Sequence, residues 1–235
     1  MLLTEKARYS EHGLGPEEMA ALAIYGDLLL ASRTNVTAVR DPHGVETVHF
    51  LDSLSFLDVP EIRRARTLVD VGSGGGLPAV VLAIALPEVA VTAVDSVGKK
   101  CAFVEEVRDS LGLANLEVMC TRAEDAGRSR LREVFDVAVA RAVAALPVLS
   151  ELALPLIRPG GTFVAAKGAL SDQERMEGEI ALGILGSDQH RLVRARSFEG
   201  AENRWLFVAT KERATPEMYP RRPGVPVKRP LGATG

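Results

Sequence analysis

The fold of this 235-residue chain is decided by Thr67-Leu68-Val69-Asp70-Val71-Gly72-Ser73-Gly74-Gly75-Gly76-Leu77-Pro78. The stretch begins as a β-branched apolar run, places glycine at four of five successive positions and continues into a second apolar run. This order predicts a strand over Thr67–Val71, a loop, and a helix over Leu77–Leu86. Glycine lets backbone approach a ligand closely, and parallel sheets bind ligands at the carboxyl ends of their strands. We therefore predict a nucleotide-type binding loop here.

Strands and helices alternate outward from this loop. Runs rich in β-branched residues predict further strands at Val89–Val94, Leu116–Cys120, Asp136–Ala140, Gly161–Lys167, Arg191–Ser197 and Arg204–Thr210. Helices are predicted between them at Lys99–Leu111, Leu146–Ile157 and Ser171–Leu185, and a short charged segment at Ala126–Val134. Such alternation predicts an α/β fold with a mostly parallel central sheet covered on both faces. The last two strands follow one another directly, which predicts an antiparallel edge hairpin.

Two helices are predicted before the sheet, which gives three regions in all. Gly15-Pro16 followed by acidic residues marks the start of the first helix. The second is predicted over His43–Leu57, with Val48, Leu51 and Leu54 on its apolar side. We expect an N-terminal helical extension at residues 1–65, packed on a Rossmann-like core at residues 66–210. A basic, proline-rich tail, predicted to be extended, covers residues 211–235.

Composition excludes several classes of protein. With 47% hydrophobic and 25% charged residues, the chain is not disordered throughout. No apolar run approaches the roughly 18 residues that cross a bilayer, and two cysteines are too few for a disulfide framework. We therefore expect a soluble cytoplasmic protein with no membrane contact. Its charge is divided, with +4 in residues 211–235 and −7 in the remainder, which favours a local anionic contact for the tail.

The loop favours a cationic cofactor over a dinucleotide. A dinucleotide fingerprint requires a small residue where Leu77 stands, and a phosphate-binding P-loop requires a Lys-Ser/Thr ending that is absent. Asp70 at the strand end would repel a pyrophosphate, but it suits the amino group of S-adenosylmethionine. Asp95 ends the next strand, where a carboxylate accepts hydrogen bonds from both ribose hydroxyls. We therefore predict a Rossmann-like S-adenosylmethionine-dependent methyltransferase fold, with Gly72 and Gly74 approaching the cofactor.

A resemblance to a known family spans most of the chain. The segments that carry it are Thr34–Pro42 (TNVTAVRDP), His49–Leu54 (HFLDSL), Asp70–Pro78, Asp95–Lys100 (DSVGKK), Arg122-Ala123-Glu124, Ala140–Val143 (ARAV), Lys167-Gly168 and Tyr219–Arg222 (YPRR). In this order they resemble the RsmG (GidB) family of bacterial 16S rRNA guanine-N7 methyltransferases. One departure is Ala79, where members of that family often carry a further glycine.

The resemblance implies a reaction and a set of site residues. The reaction is methyl transfer from S-adenosylmethionine to N7 of one guanine in 16S rRNA. Cofactor contacts are implied at Gly72, Leu77, Asp95, Ser96, Ala123, Glu124 and Arg141. Substrate contacts are implied at Asn35, Arg40, His49, Asp52, Ser53 and Lys167. The partner is then 16S rRNA or the small ribosomal subunit, and we expect the enzyme to act as a monomer.

The chemistry of N7 agrees with what the sequence lacks. Guanine N7 has a free lone pair and no proton to lose, so attack on a sulfonium methyl needs no general base. The strand Asp136–Ala140 is followed by Arg141-Ala142-Val143 rather than by the Asn-Pro-Pro-aromatic turn of amine methylation. Arg141 is the catalytic candidate, because its fork suits the cofactor carboxylate or guanine O6. The alternative interpretation of Arg141 is a surface arginine.

Other candidates also have structural interpretations. His49, Asp52 and Ser53 share one helical face, which is equally typical of a solvated surface. Glu124 either accepts from the adenine amino group or serves as an acid at a helix N-terminus, and Lys167 is either a phosphate contact or a solvated lysine. The histidines show no metal-ligand spacing, so we expect no metal.

Two other functions remain open from the sequence. The chain is alternatively a methyltransferase of proteins or small molecules, which suits the acidic body, or a non-catalytic ribosome assembly factor. The tail is predicted to contribute to RNA affinity more than to cofactor binding. Under that hypothesis, deleting residues 216–235 reduces the salt dependence of RNA binding and leaves cofactor affinity intact.

Overall fold

A computed structural model describes residues 1–141, 143–168, 170–195 and 204–233. These residues form a seven-stranded sheet with the strand order β3-β2-β1-β4-β5-β7-β6. The strands are β1 (Thr67–Val71), β2 (Ala90–Asp95), β3 (Leu116–Cys120), β4 (Phe135–Arg141), β5 (Ile157–Lys167), β6 (Gln189–Arg194) and β7 (Trp205–Thr210). The first five run parallel, and β7 pairs antiparallel with both β5 and β6. The predicted α/β class and the antiparallel edge hairpin are confirmed.

Helices cover both faces of the sheet. They are α1 (Lys6–Glu11), α2 (Pro16–Ala31), α3 (Pro42–Gly44), α4 (Asp52–Leu54), α5 (Pro60–Arg64), α6 (Ala79–Ala85), α7 (Gly98–Leu111), α8 (Ala123–Ala126), α9 (Leu146–Ala153), α10 (Asp172–Leu185) and α11 (Val225–Lys228). A π-helix occupies Val45–Leu51, and 3₁₀ turns lie at Ser55–Asp58 and Leu154–Leu156. None of the helices in the described ranges is both long and apolar enough to span a membrane.

The order in which the strands are added to the sheet reverses between β1 and β4. Strand β1 pairs with β2 on one side and with β4 on the other. Chains leave β1 and β4 toward opposite sides, which opens a crevice at the carboxyl ends of these two strands. Val71 at the end of β1 lies beside Val94, and the register brings Arg141 to the same edge of the sheet. The crevice is therefore bounded by the glycine loop and by the end of β4.

The N-terminal helices complete the hydrophobic core on one face. Tyr25 of α2 and Phe50 of the π-helix are wholly buried, and their rings stack with centroids 5.5 Å apart. Phe56 is also wholly buried in the same cluster of side chains, together with Val80 of α6. Each of these aromatic rings contributes about 1.5–3 kcal/mol by burial. Residues 1–65 thus share a core with the sheet.

The predicted helix over His43–Leu57 is wrong in its geometry. The chain here passes from the single turn α3 into the π-helix, then through α4 into a 3₁₀ turn. The wider π turn rotates Val48 away from the core, so this residue is 42% exposed instead of lying on the apolar side with Leu51 and Leu54. π-Helical turns inside helices occur frequently at functional sites.

Three larger differences from the prediction lie in the C-terminal half of the chain. β6 spans Gln189–Arg194 instead of Arg191–Ser197, and the predicted end at Ser197 lies outside the described residues. β5 begins at Ile157, so the helix predicted to end there stops at Ala153. The tail is not simply extended, because α11 forms one turn within it.

Candidate active site

The glycine loop follows β1 and requires glycine at two positions. Gly72 has φ of +77°, and a Cβ there would meet Val143 at 2.8 Å. Gly76 has φ of +94°, and a Cβ would lie 2.6 Å from Val80 and 3.2 Å from the Tyr25 hydroxyl. Side chains at such positions are both strained and obstructed. The loop therefore turns sharply and packs closely against the start of α6.

Asp95 at the end of β2 holds this loop in place. Its Oδ2 accepts a hydrogen bond from the Gly74 N–H at 2.9 Å, and its Oδ1 accepts one from the Val97 N–H at 2.9 Å. The carboxylate is partly exposed, so its remaining lone pairs are available to a ligand. The acid predicted to bind ribose therefore also fixes the conformation of the loop.

Asp70 lies beneath the loop rather than in a cavity. It is wholly buried, and its Oδ2 accepts a hydrogen bond from the Ala79 N–H at 3.0 Å. Its Oδ1 has no hydrogen-bond partner among the described residues. Burial raises the pKa of Asp70 to about 7, although the Ala79 N–H and the Arg141 charge oppose the rise. The direct contact predicted for Asp70 is not available in this arrangement, so its influence on a ligand is through charge.

The raised pKa of Asp70 predicts a dependence of stability on pH. Between about pH 4 and 7 the unfolded chain has lost this proton and the folded chain retains it. The free energy of unfolding therefore decreases as the pH rises through that window, by at most about 1.4 kcal/mol per pH unit. Asp70→Asn keeps an acceptor for Ala79 and cannot ionise. Denaturant unfolding should show that the variant gains stability relative to the wild type as the pH rises through this range. Parallel curves of unfolding free energy against pH would contradict the assignment.

Two adjoining cavities open around Gly72. The first, called the Asp95 cavity, has a volume of about 380 Å³ and is lined by Asp95, Ser96, Ala123 and Glu124. The second, called the Arg141 cavity, has a volume of about 490 Å³. Its polar and charged walls are Thr37, His49, Asp52, Ser73, Lys100, Arg141, Lys167 and Arg204. Gly72, Lys100 and Ala144 line both cavities, so the two meet at the loop.

Arg141 connects the sheet edge to the π-helix. Its Nη1 donates to Asp52 Oδ2 at 2.8 Å and to the Val48 carbonyl at 2.9 Å. Arg204 lies 3.1 Å from the other oxygen of Asp52, through its Nε. The side chains of Asp52 and Arg141 are 4% and 12% exposed, so this is a nearly buried carboxylate between two arginines. Arg141 donates both of its hydrogen bonds to the described residues from Nη1. Among these residues Nε and Nη2 have no partner, so they can donate to a ligand.

His49 lies beside this pair and is neutral at pH 7. Its Nε2 is 2.5 Å from the Thr37 hydroxyl oxygen, which also accepts the Val39 N–H. Burial and the Arg141 charge lower the pKa of His49 to about 4. The interpretation of this helical face as a solvated surface is wrong, because His49, Asp52 and Ser53 are all buried.

Three of the predicted substrate residues are placed outside the cavity. Ser53 is wholly buried and donates to the His49 carbonyl at 2.6 Å, so it closes the π turn. Asn35 and Arg40 are exposed, and Arg40 Nη2 donates to Asn35 Oδ1 at 3.2 Å. Lys167 does line the cavity, but its Nζ is engaged by the Ala144 carbonyl and Glu174, each at 2.8 Å.

Sequence reasoning missed several of the residues that line the two cavities. They include Thr37, Lys100, Arg204 and Val227, none of which is among the predicted site residues. Lys100 follows Asp95 within the resembling segment, which was the available signal. Arg204 and Val227 carry no local signal, because their positions depend on how β7 and the tail fold back. In the described part of the chain, no group of His, Cys, Asp or Glu is arranged to hold a metal ion.

Comparison with known proteins identifies the family. Residues 18–199 match the model of the GidB family, described as rRNA small subunit methyltransferase G. The chain is 39% identical over 221 residues to ribosomal RNA small subunit methyltransferase G of Moorella thermoacetica, covering 93% of this chain and 92% of that protein. The chain belongs to this family. A methyltransferase G of Rubrobacter xylanophilus is 43% identical over 225 residues, covering 93% and 86% of the two chains.

Solved structures share the fold of this chain at low sequence identity. The S-adenosylmethionine-dependent methyltransferase SibL superposes with a TM-score of 0.59 and 15% identity, covering 82% of this chain and 70% of SibL. An O-methyltransferase from Thermotoga maritima gives a TM-score of 0.56 and 16% identity, covering 82% and 73%. The Rossmann-like methyltransferase fold predicted from the glycine loop is confirmed. Membership of the methyltransferase G family likewise confirms the resemblance found in the sequence.

Proposed function

We propose that this chain transfers a methyl group from S-adenosylmethionine to N7 of a guanine in the rRNA of the small ribosomal subunit. We propose further that it acts as a monomer in the cytoplasm. The observation that carries the proposal is the meeting of two cavities at Gly72. One has apolar walls together with the Asp95 and Glu124 carboxylates, and the other is lined mostly by cations. Such a pair accommodates a cofactor and a nucleotide side by side.

The Asp95 cavity fits the nucleoside part of S-adenosylmethionine. In this proposal Asp95 offers carboxylate lone pairs to the ribose, and the Glu124 carboxylate accepts from the adenine amino group; both residues line the cavity. The apolar walls suited to a purine are Val94, Val97, Val143, Val148, Leu152 and Val227. Buried Asp70, whose Oδ1 has no partner among the described residues, favours a cation above the loop through its charge and without contact. When bound, S-adenosylmethionine supplies an electrophilic methyl group on a sulfonium.

The Arg141 cavity fits a guanine and its adjoining phosphate. Lys100, Arg141 and Arg204 line it together, and the paired Asp52 neutralises only one unit of their charge. Nε and Nη2 of Arg141, which have no hydrogen bond to the described residues, form a planar fork suited to guanine O6 or to a carboxylate. Asp52 and the Val48 carbonyl hold that fork rigidly, which favours alignment of N7 for an in-line attack.

The site needs no general base for this reaction. Guanine N7 has no proton to release. The histidine that lines the cavity, His49, is only a weak base because its pKa is about 4. Methylation of an exocyclic amine or of a hydroxyl would require removal of a proton. The neutral histidine and the rigid arginine therefore favour positioning as the means of catalysis.

The position of the methyl group tests the proposal directly. Labelled S-adenosylmethionine is offered to undermethylated small subunits, to naked rRNA and to total protein. We expect label in rRNA, and cleavage of the product at a single guanine after reduction and aniline treatment. N7 methylation makes the imidazole ring of that guanine susceptible to reduction, and aniline then cleaves the chain there. Labelled rRNA that resists cleavage would indicate a different atom. Label in protein, or in nothing, would instead support the alternative functions.

A further inference from the structure

The segment Tyr219–Arg229, called the tail segment, is anchored to the body by one of its arginines. Arg221 donates to the Glu151 carboxylate from its backbone N–H and its Nε, both at 2.8 Å to Oε1, and from Nη2 to Oε2. Glu151 is wholly buried. A buried carboxylate needs a paired cation, so Arg221 is committed to this contact and is not available to an RNA phosphate.

Two arginines of the body hold the same segment from the other side. Arg132 Nη1 donates to the Tyr219 carbonyl at 2.7 Å, and Arg128 Nε donates to the Pro220 carbonyl at 2.6 Å. Carbonyls accept such charge-assisted bonds strongly. Leu231, just beyond the segment, is buried in the core on the α9 face of the sheet. The tail segment is therefore a docked part of the fold.

Docking brings the tail segment to the Asp95 cavity. Val227 lines that cavity although its side chain is 64% exposed. The Gly224 N–H donates to Glu124 Oε1 at 2.9 Å, and Glu124, which is only 5% exposed, lines the cavity as well. One carboxylate thus contacts the tail segment and faces the space proposed for the nucleoside.

We infer that the tail segment forms one wall of the cofactor pocket, with Val227 as a contact of the adenosine and the Gly224–Glu124 hydrogen bond setting its position. The inference rests on the proposed function for the placement of S-adenosylmethionine. An exposed valine on a docked polar segment gains free energy only when apolar surface covers it, and the face of a purine is such a surface. The other apolar walls nearby, Val148 and Leu152, come from α9, against which α11 packs.

This inference differs from the prediction that the tail serves RNA rather than the cofactor. The basic side chains of Arg222 and Lys228 are exposed and do not line the Asp95 cavity. Val227 lines the cavity instead, and Gly224 is bonded to Glu124, which lines it as well. Deletion of residues 216–235 would therefore weaken cofactor binding, whatever it does to the salt dependence of RNA binding.

Calorimetric titration of S-adenosylmethionine into the full-length chain tests the wall. Val227→Ser should raise the dissociation constant by about threefold or more, because the adenosine loses part of an apolar contact. Val227→Asp should raise the dissociation constant further, because the new carboxylate repels the Glu124 carboxylate and exposes the pocket. The matched control is Lys228→Gln, the neighbouring exposed position, which should leave the constant unchanged. Wild-type affinity in both Val227 variants would overturn the inference.

Protection of the tail segment by the cofactor gives a second readout. Trypsin cuts poorly before proline, so Lys228 is a cleavable site while Arg222 and Arg229, each followed by proline, are not. Saturating S-adenosylmethionine should slow cleavage after Lys228 several-fold in the native wild type. An unchanged cleavage rate, with cofactor bound, would overturn the wall and leave the proposed function standing. A wild type that binds no S-adenosylmethionine would instead remove the proposed function.

Discussion

Arg141→Lys should lower the turnover number for methyl transfer at least about tenfold, equivalent to ~1.4 kcal/mol in the activation free energy. Lysine keeps the charge beside Asp52 but presents a single ammonium group, so it offers no matched pair of donors to a carboxylate or to guanine O6. The measurement is the initial rate of label transfer to small subunits at saturating S-adenosylmethionine.

Thermal unfolding separates positioning from stability in this variant. Asp52 retains a positive partner in Arg204 as well as the new lysine, so we expect a melting temperature close to that of the wild type. Arg204→Lys is the matched control, because it alters the partner on the other oxygen of the same carboxylate. Wild-type turnover in Arg141→Lys would mean that charge alone matters. Loss of stability together with activity would assign Arg141 to bracing the π-helix against the sheet.

Asp95→Ala should weaken S-adenosylmethionine binding about a hundredfold or more. Each charge-assisted hydrogen bond to a ribose hydroxyl contributes roughly 1.5–3 kcal/mol at most, and about 2.7 kcal/mol is a hundredfold in affinity. The structure adds a second cause, since the same carboxylate holds the Gly74 and Val97 N–H groups. Without it the loop loses its fixed conformation, which cofactor binding must then restore. Calorimetric titration measures the change.

Asp95→Asn is the control for loop geometry. Asparagine keeps the shape and one acceptor oxygen but lacks the charge, so its affinity should fall between those of the wild type and the alanine variant. Unchanged affinity in Asp95→Ala would remove the ribose assignment. Binding of NADH by the wild type would contradict the interpretation of the whole glycine loop.

The central part of the fold was predictable because its signals are local. Strands β1 and β3 match the predicted bounds, and the glycines with Asp70 and Asp95 occupy adjacent strand ends, as the alternation of strands and helices implied. The start of β5 was not predictable, since Pro159-Gly160-Gly161 is typical of a turn. In the structure these residues continue the strand beside β4, where the register shifts by a bulge.

The walls of the site were less predictable, since they depend on contacts between distant residues. Asp52 and Arg204 meet only because β7 inserts antiparallel beside β5. Val48 was assigned to the apolar side because an α-helical period was assumed, whereas π-helical turns have no such period. The buried Glu151 gave no sequence signal that its partner lies in the tail.

The π-helix over Val45–Leu51 makes the length of this segment as important as its composition. An α-helix advances about 100° per residue, so loss of one residue here, with conversion to an α-helix, would rotate Asp52 far from Arg141. Exchanges at exposed Val48 leave that rotation untouched. Insertions and deletions in this stretch are therefore more damaging than substitutions, which is the reverse of what holds for an ordinary surface loop.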